Sequence, residues 1–466
     1  MSADKSPEVK WWEAKQGMTP FLKKQQLEKK ANKHAARKQA QAEKNAEEQK
    51  LNAGKNPGKN PAKKTQHKKP EFTIQKKERS LKSENSIFNP ERVPEDAKLL
   101  LENYNALLAS NMRLNSKQRA LLPEQIRRLS HSLTDERGSR RLGYMNSPES
   151  LTAYIHYFLR WNLVRLVKLF SNLPDDFLKL EDGSVCLDIG SGPLTAVTSL
   201  FLARPELRTK KLTFYCLDIS QSALAAGEDI FLSTAAALKC EPWKIVRVKG
   251  EFGTEIKEKA SLVFSANVFN EAVDDFKMPP DYLAKKFTQK MLSYTKEDAR
   301  IILIEPGTPK ASRFVSLMRD ALLRKDFIPV SPCTHCAECP MDGKRNGKWC
   351  NFAFSTEDAP CELKQLSKKA DLPKERAVLS FVAVKKSADR SEEDTDCSED
   401  SEISFRIASD EIRLPGNRHG YYACSGRGLL LVETKEKLFS GEAFTVPQKK
   451  LTGTTDAKSG ALIVRI

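Results

Sequence analysis

Five cysteines of this 466-residue chain fall within 29 residues, from Cys333 to Cys361. Three of them, Cys333, Cys336 and Cys339, are each separated by two residues, and a proline follows the third. This spacing is typical of loops that surround an iron–sulfur cluster with thiolates. Zinc accepts the same atoms and also the imidazole nitrogen of His335. Because the segment offers more ligands than the four that either metal centre needs, some of them must be bystanders. The spacing predicts a metal site and leaves iron–sulfur and zinc open.

A second group of residues capable of chemistry is the run Leu187-Asp188-Ile189-Gly190-Ser191-Gly192-Pro193. Two glycines between a strand and a helix allow a tight turn and a close approach of ligand to backbone. Thr195 stands where a dinucleotide-binding fingerprint has its third glycine, which argues against NAD. S-adenosylmethionine (SAM) has no pyrophosphate and needs only the first turn open. We therefore expect SAM to contact Gly190, Ser191 and Gly192. Asp188 could orient the amino end of the cofactor.

Polar residues also follow three later strands of the predicted sheet. Asp218 ends the second strand and is placed to accept hydrogen bonds from the ribose hydroxyls, while Asn270 and Glu305 follow two further strands. Ligands of open α/β sheets bind at the carboxyl ends of strands, so all three are predicted cofactor contacts. No segment resembles a known methyl-transfer signature, and the catalytic residues stay unknown.

The elements that must position these residues alternate between strand and helix from Val185 onward. Short apolar runs at Val185–Leu187, Leu212–Leu217, Trp243–Val248, Ser261–Ala266 and Arg300–Ile304 predict strands, with helices between them. This alternation predicts an α/β fold with a Rossmann-like, doubly wound parallel sheet. Helical spacing of apolar residues before residue 180 predicts a helical subdomain, and short β-like runs after residue 404 predict a small β-rich module.

Charge is distributed unevenly along the chain. The formal charge is +17, yet residues 1–90 hold 22 basic and 10 acidic side chains against 56 and 51 in the remainder. A basic arm before a nearly neutral body predicts a polyanionic partner, with a merely solubilising disordered arm as the alternative. No apolar run of about 18 residues exists, so no membrane partner is expected. The N-terminus lacks the pattern of a secretory or transit peptide, which favours the cytoplasm, with the mitochondrial matrix as the alternative. Clustered cysteines in such a chain favour metal over disulfides.

Four motifs in order resemble a family of methyltransferase-like proteins associated with the small ribosomal subunit, best known from mitochondria and with bacterial relatives. They are Leu187–Pro193, Glu305–Pro309, the Cys-x-His-x3-Cys-Pro element formed by Cys333, His335, Cys339 and Pro340, and Trp349–Phe352. The resemblance extends from about Tyr144 to Val432. It implies a SAM-methyltransferase domain, a [4Fe–4S] cluster and a role in subunit assembly through rRNA binding. A bacterial-type member is expected.

The resemblance also implies which residues hold the cluster. Its four ligands would be Cys333, Cys339, Cys350 and Cys424. Cys336 and Cys361 are the competing cysteines, and His335 would lie beside the ligands. A ligand as distant as Cys424 would attach the C-terminal module to the methyltransferase domain, so the cluster would be structural rather than electron-carrying.

The resulting hypothesis is a SAM-binding iron–sulfur protein that acts on the small ribosomal subunit. The alternatives are an active rRNA or tRNA methyltransferase and a zinc-stabilised, non-enzymatic RNA-binding scaffold. A monomer is expected. The predicted regions are a basic arm (1–90), a helical subdomain (91–180), a SAM-methyltransferase-like domain (181–330), a Cys-rich segment with the last sheet strand (331–384), an acidic disordered insertion (385–403) and a β-rich module (404–466).

Overall fold

Helices occupy the first part of the chain in the computed structural model, which describes residues 81, 83–134, 143–270, 278–344, 347–387 and 402–466. A short strand, β1 (Asn85–Ser86), precedes the helices α1 (Glu95–Glu102), α2 (Tyr104–Asn111), α3 (Ser116–Thr134), α4 (Pro148–Ala153) and α5 (Arg160–Asn172). A π-helical turn, Tyr154–Leu159, joins α4 to α5. Leu163, Leu166 and Phe170 recur at helical spacing on α5 and are fully buried, as expected of a helix with one face on the core. The predicted helical subdomain is confirmed.

A large sheet follows the helices. Its strands are β2 (Val185–Ile189), β3 (Thr213–Asp218), β4 (Lys244–Lys249), β5 (Ala260–Ala266), β6 (Thr295–Pro306), β7 (Phe327–Ser331), β8 (Phe352–Ser355) and β9 (Arg376–Lys386). The helices between them are α6 (Thr195–Ala203), α7 (Pro205–Arg208), α8 (Gln221–Ala237), α9 (Pro280–Leu292), α10 (Pro309–Leu323) and α11 (Cys361–Lys369). Every residue of β2 is buried, because a central parallel strand is covered by helices on both faces.

The strand order of this sheet creates a crevice beside β2. The order is β4-β3-β2-β5-β6-β9-β7, and β8 pairs with β9. The pairs from β4 to β6 are parallel, whereas β9 runs antiparallel between β6 and β7. The chain builds outward from β2 to β4 and then returns with β5 on the other side of β2. Such a reversal opens a ligand crevice at the carboxyl ends of the two strands. The predicted Rossmann-like sheet is confirmed.

A second sheet forms the C-terminal module. Its strands are β10 (Glu402–Ile407), β11 (Ile412–Leu414), β12 (Arg418–Ser425), β13 (Gly428–Thr434), β14 (Glu442–Pro447), β15 (Leu451–Thr455) and β16 (Leu462–Arg465). The order is β1-β14-β10-β12-β13-β16-β15, with β11 beside β12. Alternate residues such as Phe405, Tyr421 and Phe444 form its apolar core. The β-rich module predicted from the sequence is therefore present.

Two predicted boundaries differ from the structure. Strand β1 pairs with β14, and the adjacent Ile87 and Phe88 are buried, so the folded body begins before residue 91. The acidic insertion predicted at 385–403 overlaps the ends of β9 and β10, and its residues 388–401 lie outside the described residues. The same holds for residues 1–80 and 82 of the predicted basic arm. None of the helices in the described parts of the chain is long and apolar enough to cross a bilayer.

Candidate cofactor cavity and cysteine centre

A cavity of about 430 Å³ opens at the carboxyl ends of β2, β3 and β5. Among the predicted cofactor residues, Gly190, Gly192 and Asp218 line it. Other parts of the wall are lined by Tyr144, Met145, Tyr154, Glu251, Phe252, Asn267, Lys286 and Lys290. The helical subdomain therefore closes one side of the cavity. The sequence does not distinguish aromatic residues of this subdomain that line the cavity from those that lie in its core. Glu251 and Asn267 directly follow strands, so they could have been predicted as cavity residues from their position at strand ends.

The glycine loop is held against the end of β3. The amide nitrogens of Gly190 and Ser191 donate to Leu217 O at 2.8 and 3.1 Å. Gly190 has φ +67°, and a β-carbon built on it would stand 2.2 Å from Val268 Cγ2. Glycine is required at this position by both the backbone conformation and the close neighbour.

Asp218 fixes the same loop from the other strand. Its Oδ2 accepts from Gly192 N and its Oδ1 from Ser220 N, both at 2.8 Å. Burial raises the pKa of Asp218, while the amides of Ser220 and Gly192 oppose that rise. Each carboxylate oxygen can accept a second hydrogen bond, so Asp218 can hold the loop and still meet hydroxyl groups of a ligand.

Four of the predicted cofactor residues lie outside the lining of the cavity. They are Asp188, Ser191, Asn270 and Glu305. Ser191 Oγ donates to Asp188 O at 3.0 Å, within the loop itself. Asp188 is almost fully buried, and its Oδ2 has no hydrogen-bond partner among the described residues. Burial raises the pKa of Asp188, and the nearby Asp218 raises it further.

Glu305 braces the loop that follows β5. Its Oε1 accepts from Val268 N at 3.1 Å and from Phe269 N at 2.8 Å. Its Oε2 accepts from Asn270 N at 3.1 Å. The carboxylate of Glu305 therefore supports the cavity floor from behind, because main-chain amides occupy both of its oxygens. Asn270 takes part through its backbone.

A buried arginine braces the same loop from the helical side. Arg165 of α5 donates to Asn267 Oδ1 and to Asn162 Oδ1, each at 2.9 Å. Burial lowers the pKa of Arg165 to about 10, while Tyr154 and Glu305 act in the opposite direction. The sequence analysis missed this residue, since nothing in the local pattern of a helix marks its distant partner.

The cysteines form a second constellation, at the contact between the two sheets. Cys333 and Cys339 belong to the loop after β7 (the cysteine loop, residues 332–340). Cys350 returns beside this loop because Cys350 N donates to Met341 O at 3.2 Å. Cys424 comes from β12 of the C-terminal module.

The structure brings these four thiols close enough to act on one another electrostatically. Burial raises the pKa of Cys424 well above its ordinary value, and Cys339, Cys333 and Cys350 raise it further. Burial likewise raises the pKa of Cys339 to about 11, with Cys333 adding to the rise. Burial therefore disfavours the thiolate forms of Cys339 and Cys424, and binding of a cation would stabilise them.

The three competing residues occupy different places. Cys336 is exposed at the outside of the cysteine loop. Cys361 is exposed at the start of α11, where its backbone nitrogen donates to Glu102 Oε1 at 3.2 Å. His335 Nε2 lies 3.1 Å from Cys424 Sγ, so it lies beside one of the four thiols. Burial lowers the pKa of His335 to about 4, and the adjacent Arg319 contributes.

Two buried arginines flank the four thiols. Arg319 of α10 donates from Nε to Cys333 Sγ at 3.2 Å. Arg406 of β10 donates from Nε to Pro332 O and from Nη1 to Gly441 O at 2.8 Å. Burial lowers the pKa of Arg406 to about 10, and the thiols of Cys333 and Cys350 act in the opposite direction. Burial also disfavours the charged form of Arg319, but Cys333 and Cys339 outweigh it and raise its pKa.

Two features define the fold class as that of Rossmann-like methyltransferases. The glycine loop opens into a cavity at the point where the strand order reverses, and one antiparallel strand lies near the edge of the sheet. The chain belongs to the Rsm22 family: the family described as mitochondrial small ribosomal subunit Rsm22 matches residues 165–408, more than half of the 466 residues. This match spans the sheet and the cysteine loop and ends within the first strand region of the C-terminal module.

The solved structures that match the chain include methyltransferases of low sequence identity. A putative class I SAM-dependent methyltransferase from Listeria monocytogenes is 12% identical, covers 65% of this chain and 90% of its own, and has a TM-score of 0.29. A SAM-dependent methyltransferase from Geobacter sulfurreducens, in complex with S-adenosyl-L-homocysteine, is 11% identical over 55% of this chain and 97% of its own, with a TM-score of 0.28. Scores this low add nothing to the topology described above. No curated protein matches the chain.

Proposed function

We propose that this protein is a SAM-binding, methyltransferase-like component of small-ribosomal-subunit assembly or translation, which binds rRNA and carries a four-cysteine [4Fe–4S] cluster. Membership of the Rsm22 family carries the ribosomal part of the proposal. The cavity and the cysteine centre support the two cofactors. The proposal concerns binding, and it assigns no catalytic residue.

SAM is the ligand that the cavity at β2 fits best. Gly190 and Gly192 leave backbone exposed to a ligand, and Asp218 offers carboxylate oxygens at the end of β3. Asp188, whose Oδ2 has no hydrogen-bond partner among the described residues, lies at the base of the same loop and would orient the amino group of the cofactor. Calorimetry with SAM should show binding by the wild type and loss of binding by Asp218→Ala. Asp229→Ala, an exposed position on α8, is the matched control. Absence of wild-type binding would contradict the SAM assignment.

The four thiols of Cys333, Cys339, Cys350 and Cys424 would hold the cluster. They come from two separate parts of the chain and are flanked by two buried guanidinium groups. Positive charge beside them offsets the excess negative charge of four thiolates on a metal centre. When bound, the cluster supplies a cross-link between the C-terminal module and the cysteine loop.

The resemblance of the Cys333–Pro340 element and of Trp349–Phe352 to the family motifs favours a cluster over a zinc ion. Ser316 faces Cys339, and its hydroxyl opposes the rise in the pKa of that thiol. Within the described residues no three His, Cys, Asp or Glu side chains are grouped as ligands of a single ion.

Anaerobic purification tests the metal assignment. The wild type should be brown, with broad visible absorbance and with iron and acid-labile sulfide in equal amounts. A colourless protein that contains zinc alone would contradict the cluster and support the zinc-stabilised scaffold.

Crosslinking to RNA in cells, followed by sequencing, tests the ribosomal part. Reads should concentrate on small-subunit rRNA, and the protein should co-sediment with small subunits. Reads spread evenly over mRNA would overturn this part of the proposal. Deleting residues 1–80 should weaken binding and reduce its dependence on salt if the basic arm contacts phosphates.

The cellular compartment can be tested separately. The family description names the mitochondrial subunit, which favours the mitochondrial matrix over the cytoplasm expected from the N-terminal sequence. Fractionation of cells with an antibody against the C-terminal module would distinguish the two.

A further inference from the structure

Arg406 and Cys424 are direct partners across the antiparallel β10–β12 pair. Residues directly opposite each other on antiparallel strands project from the same face of a sheet. The C-terminal module thus presents one thiol and one guanidinium group, side by side, toward the cysteine loop. We propose that Arg406 and Arg319 are the counter-charges of the four-thiolate centre, and that Arg406 makes the docking of the C-terminal module depend on that centre. This inference rests on the metal centre of the proposed function.

Arg406 joins the module to the beginning of the cysteine loop. Only 5% of its surface is exposed. Its Nε donates to Pro332 O, next to Cys333, and its Nη1 donates to Gly441 O within the module. Both acceptors are neutral carbonyl oxygens. Cys333, Cys350 and Cys424 act on Arg406 more strongly than the carboxylate of Glu84 does, so thiolates of a metal centre would be its main counter-charge.

Arg319 shapes the same loop from the methyltransferase-like domain. It is 2% exposed, and its Nη2 donates to His335 O and to Ala337 O, both at 2.9 Å. Together with the contact to Cys333 Sγ, these hydrogen bonds fix three points of the cysteine loop. Asp320 also accepts from Arg319 Nη1 at 2.7 Å, so Arg319 has a carboxylate partner that Arg406 lacks among the described ion pairs.

The charge balance explains why the two arginines tolerate burial. A buried charge without a partner is strongly unfavourable. Four thiolates around a doubly charged metal centre leave an excess of two negative charges, which the two guanidinium groups neutralise. Loss of the centre removes the metal that holds these thiolates beside Arg406, and it leaves Glu84 as the weaker negative partner. The contact between module and loop should then loosen.

The module makes further contacts with the same loop that the metal does not supply. Thr334 Oγ1 donates to Ser404 O at 3.4 Å, and a β-carbon on Gly426 would lie 3.3 Å from His335 Cβ. These contacts are few and lie at the rim. They can guide docking, but they give Arg406 no counter-charge.

The test uses the full chain, purified anaerobically, in four forms: wild type, Arg406→Gln, Arg406→Lys and Arg319→Gln. Arg413→Gln, at an exposed position of the same module, is the matched control. Three quantities are measured: iron and sulfide per chain, the rate of iron loss to a chelator, and hydrogen exchange of β10 and β12 with and without the metal.

Arg406→Gln should lose iron roughly 10- to 100-fold faster than the wild type, the range found for residues that support metal ligands. Its β10 and β12 amides should exchange as fast as those of the metal-free wild type. Arg406→Lys keeps the charge and should recover much of the retention. Because removal of a positive charge disfavours reduction, the midpoint potential of both glutamine variants should become more negative, which a purely structural role would not cause.

The outcomes separate this inference from the proposed function. A wild-type protein that contains no metal would contradict both the proposed metal centre and this inference. Wild type that holds metal, with Arg406→Gln equal to it in retention, potential and exchange, would overturn this inference alone. If Arg406→Gln fails to fold, the other two variants still test the inference. It is overturned if Arg406→Lys and Arg319→Gln match the control in metal retention, potential and exchange.

Discussion

Gly190 lies directly against Val268, so that a β-carbon on Gly190 would stand 2.2 Å from Val268 Cγ2. This contact joins the glycine loop after β2 to the loop after β5. These two strands flank the crevice, and their loops form the cavity floor together. The glycine at position 190 therefore sets the shape of the cavity as well as the turn.

Replacing Gly190 by alanine should destabilise the protein and abolish binding of SAM. Gly183→Ala is the control, because Gly183 has φ +75° but nothing within 4 Å of its built β-carbon. In both variants an alanine must adopt the left-handed backbone conformation, which costs about 1 kcal/mol. Only in Gly190→Ala does the new β-carbon also collide with Val268. Urea unfolding and SAM calorimetry measure the two effects. The double variant Gly190→Ala, Val268→Ala should recover part of the loss, and no recovery would show that the collision is not the cause.

Replacing Glu305 by glutamine should lower the free energy of unfolding by about 2 kcal/mol, because a carboxylate that accepts three main-chain amides is replaced by a neutral group with a donor of its own. SAM affinity should fall as well, although Glu305 lies outside the cavity lining. Glu297→Gln, at an exposed position of the same strand, serves as the control in chemical denaturation. Unchanged stability of Glu305→Gln would contradict the bracing role.

The buried His156 should make stability depend on pH. Burial lowers its pKa from 6.5 to about 4, and Arg160 adds to the shift. Between pH 6.5 and about 4 the unfolded chain binds a proton at His156 and the folded protein does not. The stability that neutral His156 contributes is therefore present above pH 6.5 and is lost as the pH falls toward 4. The loss should reach about 3 kcal/mol. It is measured as the difference in unfolding free energy between wild type and His156→Phe at several pH values. His131→Phe, on an exposed face of α3, should show no such difference.

Replacing Cys424 by serine should remove the metal as completely as Cys333→Ser does, whereas Cys336→Ser should retain it. Cys424 lies among the other thiols, while Cys336 is exposed at the outside of the loop. Iron content and visible absorbance of the three variants decide the matter. Equal loss in Cys336→Ser would show that Cys336 is a ligand.

Local sequence was sufficient for the elements and for part of the cavity. Buried strands such as β2 are continuous apolar runs, and the glycines after it signal a turn that other residues cannot adopt. The position of Asp218 at the end of a strand also placed it on the cavity, because strand ends of a parallel sheet lie along one edge. These features depend on neighbours within a few residues.

Relationships between distant segments were decided by the tertiary structure alone. Glu305 lies at the carboxyl end of β6, as a ligand contact would, but the loop after β5 supplies three amides that occupy its carboxylate. The strand β1 completes a sheet whose other strands begin more than 300 residues later. Cys424 was inferred only by resemblance, since no spacing rule reaches across the sequence from Cys350. What the sequence by itself determined is which groups are available; packing of distant elements decided which of them meet, because burial and hydrogen bonding act in space and not along the chain.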